Sequence, residues 1–117
     1  MFQGCYTALI TPFTADGDVD SETLRRLVEF QIVQGVSGIL AVGTTGESAT
    51  LNWDEHSEVI EKIANYTDGR CQVIAGTGSN SVAETMEHTR EIEDAGVDGI
   101  LLVEPYYNGP SSIEIRR

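Results

Sequence analysis

Basic residues are scarce in this 117-residue sequence, and Lys62 is its only lysine. Seven lysines and arginines stand against nineteen acidic residues, so the formal charge is −12. This balance excludes a nucleic-acid partner, because binding DNA or RNA requires cations that neutralise phosphates. No apolar run approaches the roughly 20 residues that span a membrane, and residues 1–4 lack the basic segment of a signal peptide. We therefore expect a cytoplasmic protein, or a plastid one if its source is a plant.

Cysteine and histidine are also scarce. Cys5 and Cys71 each begin a predicted strand and form no CxxC pair, which predicts buried, reduced thiols. His56 and His88 are expected to lie far apart on two helices, without the spacing of metal ligands. Three acidic residues near the first helix are interpreted as turn and capping residues rather than calcium ligands: Asp18, Asp20 and Glu22. We therefore expect neither a metal nor a cofactor.

Strands and helices alternate along the whole chain. Strands are predicted for the short apolar segments, at 5–10, 38–42, 72–75 and 99–103. Helices are predicted where apolar residues recur at helical spacing, at about 21–34, 52–68 and 81–95. The apolar helix faces predicted to point inward are Leu24, Leu27, Val28, Phe30 and Val33, then Val59, Ile60, Ile63 and Ala64, then Val82, Met86, Thr89 and Ile92.

Continuously apolar strands favour a parallel sheet covered by helices. Two architectures fit this order, a flavodoxin-like open sheet and part of a (β/α)8 barrel. The repeat of Gly-Val-Ser-Gly-Ile-Leu at 35–40 as Gly-Val-Asp-Gly-Ile-Leu at 96–101 favours the barrel. A complete barrel needs roughly 250 residues. Residues 1–117 are therefore predicted to be the N-terminal half of one (β/α)8 TIM-barrel domain, cut early in its fourth helix.

The segment Gly-Thr-Thr-Gly-Glu-Ser at 43–48 directly follows an apolar strand. Two hydroxyls and a carboxylate between glycines at a strand end suit the binding of a small polar substrate. The segment 76–81 also ends a strand, but it lacks the complete glycine and lysine pattern of nucleotide-binding loops. Lys62 follows Glu58 by four residues on a helix, which predicts an ordinary ion pair and no catalytic role.

Four segments carry a resemblance to a known family: Ala-Leu-Ile-Thr-Pro-Phe at 8–13, Gly-Thr-Thr-Gly-Glu-Ser-Ala-Thr-Leu at 43–51, Ile-Ala-Gly-Thr-Gly-Ser-Asn at 74–80 and Pro-Tyr-Tyr-Asn at 105–108. With these the sequence is similar to the dihydrodipicolinate synthase family, one of the pyruvate-dependent class I aldolases that include N-acetylneuraminate lyase. The resemblance covers essentially all 117 residues. It departs from the family at Gly109, where a basic or bulkier residue is usual.

The resemblance implies a lyase that forms an imine between pyruvate and a lysine of the sixth strand. The enamine then attacks L-aspartate semialdehyde, in the route to diaminopimelate and lysine. By the same resemblance Thr45 holds the pyruvate carboxylate, while Thr44 and Tyr107 belong to a hydroxyl proton relay. Tyr107 reaches into the site of a neighbouring subunit, in a homotetramer built from tight dimers. Because the imine-forming lysine and a third relay tyrosine are not among these residues, the chain alone is expected to be inactive.

The resemblance further implies feedback inhibition by L-lysine, bound at the tight dimer interface. The matching positions are Ser48, Ala49, Trp53, His56, Asn80, Glu84 and Tyr106. A tryptophan at position 53 resembles the plant-type members of the family. The alternative interpretation of Trp53 and His56 is that they are ordinary residues in the first turn of an amphipathic helix.

Two other functions stay open. One is a different pyruvate aldolase of the same family, such as a sialic-acid or sugar-acid lyase. The other is a non-enzymatic half-barrel that binds an amino acid. Such a half-barrel would leave two strand edges unpaired and is expected to dimerise or aggregate.

Overall fold

Four parallel strands form one sheet in the computed structural model, which describes residues 1–115. The strands are β1 Tyr6–Ala8, β2 Gly38–Ala41, β3 Gln72–Gly76 and β4 Gly99–Leu101. They alternate with three helices, α1 Ser21–Val33, α2 Trp53–Thr67 and α3 Val82–Glu91. Two short 3₁₀ turns, Thr44–Gly46 and Ser48–Thr50, follow β2. The predicted alternation is thus confirmed, although β1 and β4 are shorter than expected.

The strands lie side by side in sequence order, β1-β2-β3-β4. In register, Thr7 pairs with Ile39 and Leu40 pairs with Ile74, while Ala75 pairs with Ile100. A flavodoxin-like sheet would place the second strand outside the first. The consecutive order is the one that a (β/α)8 barrel requires, and the parallel orientation brings the carboxyl ends of all four strands to one edge.

Each helix begins at a capping side chain that the sequence contains. The Asp20 carboxylate accepts a hydrogen bond from the Thr23 amide, and the Ser81 hydroxyl accepts one from the Glu84 amide. Asn52 and Glu55 form a complete capping box before α2. Gly35 and Gly96 both have φ of +79°, so the repeated helix-to-strand joints share the left-handed conformation that favours glycine.

The core lies between the sheet and the helices. Its fully buried side chains are mostly aliphatic and include Leu24, Val28, Ile39, Val59, Ile60, Ile63, Val73 and Ile92. Four residues that were predicted to face inward are instead 50–70% exposed, so the prediction is wrong for them. They are Phe30, Val33, Val82 and Met86. Val82 and Met86 line an external cavity together with residues after β4. Ile92, just after α3, is buried as predicted, and within α3 the buried residue is His88.

Two further expectations need correction: the burial of both thiols and a fourth strand that extends to residue 103. Cys5 is exposed and Cys71 is half-buried, so the predicted burial of both thiols is wrong. Cys5 directly precedes β1, which is an outer strand of the sheet. Leu102 and Val103 lie beyond β4 and are 55% and 40% exposed. Within residues 1–115, no helix is both long and apolar enough to cross a membrane.

Candidate functional site

Unusual backbone conformations cluster around the turn that follows β2. Val42 has φ of +50° and Glu47 has φ of +61°. A β-branched residue rarely adopts this conformation, so the end of β2 is strained. The neighbouring strand approaches closely, because a Cβ on Gly76 would lie 2.4 Å from the carbonyl oxygen of Val42. Strain of this kind is typical of functional sites.

Thr11 fixes this turn from the end of β1. Its hydroxyl donates a hydrogen bond of 2.7 Å to the carbonyl oxygen of Gly46, and the Thr11 side chain is buried. Gly46 ends the 3₁₀ turn that carries Thr44 and Thr45. The buried bond therefore ties both candidate hydroxyl residues to the first strand of the sheet.

A cavity of about 410 Å³ opens beside the turn, and we call it the Thr44 cavity. It lies at the carboxyl edge of the sheet, between the turn after β2 and the segment after β4. Its lining residues are Thr44, Glu47, Ser48, Ala49, Thr50, Val103 and Tyr106. Among the predicted catalytic and substrate-binding residues, only Thr44 lines it. Glu47 supplies the carboxylate that the sequence predicted at this strand end, although no particular role was assigned to it.

Thr45 and Tyr107 lie outside the Thr44 cavity. Thr45 is exposed within the same turn as Thr44. Tyr107 is fully exposed and has φ of +70°, so it projects from the chain in a strained conformation. A large aromatic side chain held in solvent by strained backbone is a feature of contact surfaces rather than of a core.

A second, smaller cavity of about 160 Å³ adjoins the first, and we call it the Glu84 cavity. It is lined by Ser48, Ala49, Leu51, Trp53, Gly78, Ser79, Asn80, Glu84 and Tyr106. Six of the seven positions predicted to bind an amino acid line this cavity, and His56 does not. Ser48, Ala49 and Tyr106 line both cavities. Sequence reasoning missed Leu51, Gly78 and Ser79, although the last two belong to the loop after β3 that it discussed.

The Glu84 carboxylate stands at the start of α3, where the helix dipole favours negative charge. Its Oε2 accepts a hydrogen bond of 2.8 Å from the Ser79 hydroxyl. Within the described residues Oε1 has no such donor. Asn80 adds an amide beside it, so the cavity combines a carboxylate, an amide and the indole of Trp53. These groups suit a ligand that carries an ammonium group.

His56 and His88 lie close together, contrary to expectation. His88 stacks on the indole of Trp53 with ring centroids 3.5 Å apart, and His56 stacks on it at 4.8 Å. Helical spacing explains the second contact, since Trp53 and His56 are three residues apart on α2. The first contact joins two helices and was invisible in the sequence. Within residues 1–115, no group of three histidines, cysteines or carboxylates could hold a metal ion.

The His56 ring is anchored at the end of β3. Its Nε2 donates to the carbonyl oxygen of Gly76 at 2.7 Å, so Nδ1 is the acceptor nitrogen of the neutral ring. Nδ1 is buried and has no hydrogen-bond partner among the described residues. Burial lowers the pKa of His56; the bond to Gly76 opposes this shift, and His88 reinforces it.

Lys62 lies on α2, in the ion pair that the sequence predicts. Its Nζ donates to Glu58 Oε1 at 2.5 Å and to Ser21 Oγ at 2.6 Å. Lys62 lines neither cavity. These contacts bind the ammonium group to residues of α1 and α2 that line neither the Thr44 cavity nor the Glu84 cavity.

The chain is similar to proteins of one family over its full length. The model of the Dihydrodipicolinate synthetase family matches residues 1–117. A 4-hydroxy-tetrahydrodipicolinate synthase of Methanococcus maripaludis (strain C6) is 54% identical over 115 residues. That match covers 98% of the chain and 39% of the relative, so the chain spans about two fifths of the length of the curated relatives it matches.

Solved structures give the same picture. The 4-hydroxy-tetrahydrodipicolinate synthase from Methylacidiphilum fumariolicum SolV matches with a TM-score of 0.93 and 50% identity, covering 98% of this chain and 38% of that one. The dihydrodipicolinate synthase from Acinetobacter baumannii, complexed with pyruvate, matches with a TM-score of 0.91 and 48% identity, covering 95% and 38%. These neighbours are TIM barrels, which confirms the predicted fold class.

Proposed function

Because the chain belongs to the Dihydrodipicolinate synthetase family, we propose that it contributes to the active centre of a 4-hydroxy-tetrahydrodipicolinate synthase. In this proposal pyruvate condenses with L-aspartate semialdehyde through a Schiff base, in the synthesis of diaminopimelate and lysine. The observation that carries it is the Thr44 cavity, formed at the carboxyl ends of β2 and β4 beside a strained turn. In parallel α/β barrels this edge is where substrates bind.

Thr44 and Tyr107 act as proton carriers in the proposed reaction. A hydroxyl both donates and accepts a hydrogen bond, so Thr44 passes a proton without holding a net charge. Thr45 holds the carboxylate of pyruvate with its hydroxyl. Tyr107, which is fully exposed on the isolated chain, serves the site of a second copy. Lys62 is held by Glu58 and Ser21, so the imine-forming lysine belongs to the part of the barrel that this chain does not cover.

Completion of the barrel tests the proposal. The chain would be joined to the C-terminal three fifths of the Methanococcus maripaludis relative, and the chimera assayed for condensation and for borohydride trapping of pyruvate. We expect turnover and one pyruvyl adduct on a lysine other than Lys62. Thr44→Val should lower kcat by about 10²–10⁴-fold, whereas the exposed Thr14→Val should not. A folded chimera without turnover, or with an adduct on Lys62, would contradict the assignment.

A second role is supported by the Glu84 cavity: binding of L-lysine as a feedback inhibitor. Six of the seven implied residues line one cavity, in which a carboxylate, an amide and an indole converge. We expect L-lysine to bind the chain, with Glu84→Gln abolishing most of the affinity and Glu87→Gln leaving it unchanged. Isothermal titration calorimetry measures the dissociation constant of L-lysine for the wild type and for each of the two variants. Equal affinities of wild type and Glu84→Gln would contradict the role.

Assembly and location complete the proposal. Exposed, strained Tyr107 supports contact with a second copy, in a homotetramer of tight dimers. The absence of a membrane-spanning helix within residues 1–115 agrees with a cytoplasmic enzyme. The name 4-hydroxy-tetrahydrodipicolinate synthase, carried by the Methanococcus maripaludis relative and by the Methylacidiphilum fumariolicum structure, favours this reaction over that of a sialic-acid or sugar-acid lyase.

A further inference from the structure

We infer that His88, held by Glu91, is a positioning residue that sets the plane of the Trp53 indole in the wall of the Glu84 cavity. The inference rests on the proposed amino-acid role of that cavity. No property of the sequence pattern singled out His88, which was expected to lie far from His56. It becomes visible only because α2 and α3 pack side by side.

The contact between Trp53 and His88 is a parallel stack. The ring centroids are 3.5 Å apart and the ring planes differ by 14°. One face of the His88 ring packs on the indole, and the His88 side chain is only about 10% exposed to solvent. Stacked aromatic rings in this geometry restrict each other's rotation about the side-chain bonds.

His88 is itself fixed by a hydrogen bond. Its Nδ1 donates to Glu91 Oε2 at 2.7 Å, one turn further along α3. A planar ring with one nitrogen tied to a carboxylate has a single preferred orientation. Glu91 therefore fixes the orientation of the His88 ring, and stacking against that ring holds the Trp53 indole in a nearly parallel plane.

A second imidazole constrains the same indole from the sheet. His56 stacks on Trp53 at 4.8 Å and 16°, and its Nε2 is tied to the carbonyl oxygen of Gly76 at the end of β3. The position of the Trp53 indole is thus fixed relative to two elements at once. These are β3, whose following loop supplies Ser79 and Asn80, and α3, which supplies Glu84.

This arrangement has a consequence for the ligand. Glu84 and His88 are four residues apart and share one face of α3. The carboxylate that would bind an ammonium group and the ring that orients the indole are therefore set by one rigid helix. A cation or alkyl chain that binds between Glu84 and Trp53 contacts side chains that are already ordered. The entropic cost of ordering these side chains on binding is therefore small.

The single tryptophan of the chain makes the inference measurable. The indole Nε1–H resonance of Trp53 would be compared in wild type and in His88→Leu, His88→Phe, Glu91→Gln and the matched control Glu87→Gln. L-Lysine would then be titrated into each protein while Trp53 fluorescence is followed. Glu87 is an exposed acid on the same helix, so its variant removes one charge from α3 without touching the stack.

We expect His88→Leu to shift the indole resonance and to weaken L-lysine binding on the order of three- to tenfold, the range of a lost aromatic stack. His88→Phe keeps the stack and should restore most of the affinity. Glu91→Gln should broaden the indole resonance, while Glu87→Gln should leave it at the wild-type position. If His88→Leu fails to fold, His88→Phe and Glu91→Gln carry the comparison.

Two results would overturn the inference: an indole resonance unmoved by His88→Leu, or equal L-lysine affinity in His88→Leu and Glu87→Gln. A wild-type chain that binds no L-lysine would refute the ligand proposed for the cavity. In that case the indole resonances still decide whether His88 and Glu91 orient Trp53, so the two failures are distinguishable.

Discussion

Single buried polar atoms hold the candidate site in place. The Thr11 hydroxyl ties the turn after β2 to the end of β1, and His56 Nε2 ties α2 to the end of β3. Both acceptors are backbone carbonyl groups: that of Gly46 in the turn after β2 and that of Gly76 at the end of β3. A buried carbonyl that loses its donor costs free energy because water cannot replace the bond. The site is therefore sensitive to changes at residues that line neither cavity.

Thr11→Val tests the first of these bonds. Valine has nearly the same shape as threonine but leaves the Gly46 carbonyl without its donor, so the free energy of unfolding should fall by about 1–3 kcal/mol. Urea denaturation followed by circular dichroism measures the change. Thr11→Ser keeps the hydroxyl and should lose less. Equal stability of Thr11→Val and wild type would show that the turn is held by other contacts.

His56 predicts a dependence of stability on pH. Its pKa in the folded chain lies below the ordinary value of 6.5, so below that pH the unfolded chain binds a proton that the folded chain does not. The contribution of neutral His56 is fully present above pH about 6.5 and is lost as pH falls from there towards the lower pKa of the folded state.

The measurement is the free energy of unfolding between pH 5 and 7.5, roughly the range in which histidines titrate. Wild type should lose stability towards pH 5, and His56→Phe should lose less, because the buried titrating group is gone. Parallel curves for the two proteins would contradict the assignment of the effect to His56.

Whole elements depend on short local signals. Asn52 and Glu55 cap α2 reciprocally, with both hydrogen bonds at 3.0 Å. This cap makes Trp53 the first residue of the helix, which places the indole at the Glu84 cavity and His56 one turn behind it. The capping box thus connects helix stability with the geometry of the site.

Asn52→Ala should lower the free energy of unfolding by about 0.5–2 kcal/mol, because amide groups of the first turn lose their acceptor. Thermal denaturation and the fluorescence of Trp53 provide the two readouts. Asn65→Ala, at an exposed position inside the same helix, is the matched control and should not destabilise. Asn52→Ala without effect on either readout would mean that tertiary packing alone sets the start of α2.

At the scale of the whole molecule, much apolar surface stays exposed. The accessible surface is 7287 Å², whereas a compact monomer of 12.7 kDa should expose about 6,200 Å². Part of the excess lies along β4 and the residues after it, where Ile100, Leu101, Leu102 and Val103 are 40–55% exposed. An open parallel sheet normally covers such an edge with further strands or helices.

The isolated chain is therefore expected to associate as its concentration rises. Leu102→Lys places a charge on the exposed segment and should shift the distribution towards monomer in sedimentation velocity experiments. Val33→Lys introduces the same charge at a 70% exposed position on α1 and serves as the control. A chain that stays monomeric at all concentrations, or equal effects of the two variants, would contradict this expectation.

The sequence by itself determined the elements, their caps and the residues at the strand ends. These features depend on neighbours along the chain: a capping side chain lies three residues from the amide it binds, and the joints at Gly35 and Gly96 need only a local left-handed turn. The consecutive parallel order also followed, because a repeated joint before β2 and β4 favours repeated β/α units.

Only the tertiary structure decided which face of α3 is buried and which residues meet across elements. Val82 and Met86 have the spacing of an inward face, yet α3 turns His88 to the interior because Trp53 of α2 offers it a stacking partner. Six of the predicted amino-acid-binding residues share one cavity because parallel strands bring their carboxyl ends to one edge. Thr11 acts through a hydrogen bond to Gly46, a residue that sequence patterns do not pair with it, whereas Glu91 reaches His88 by ordinary helical spacing. Contacts between distant elements depend on packing in three dimensions, which the local pattern of a single sequence does not contain.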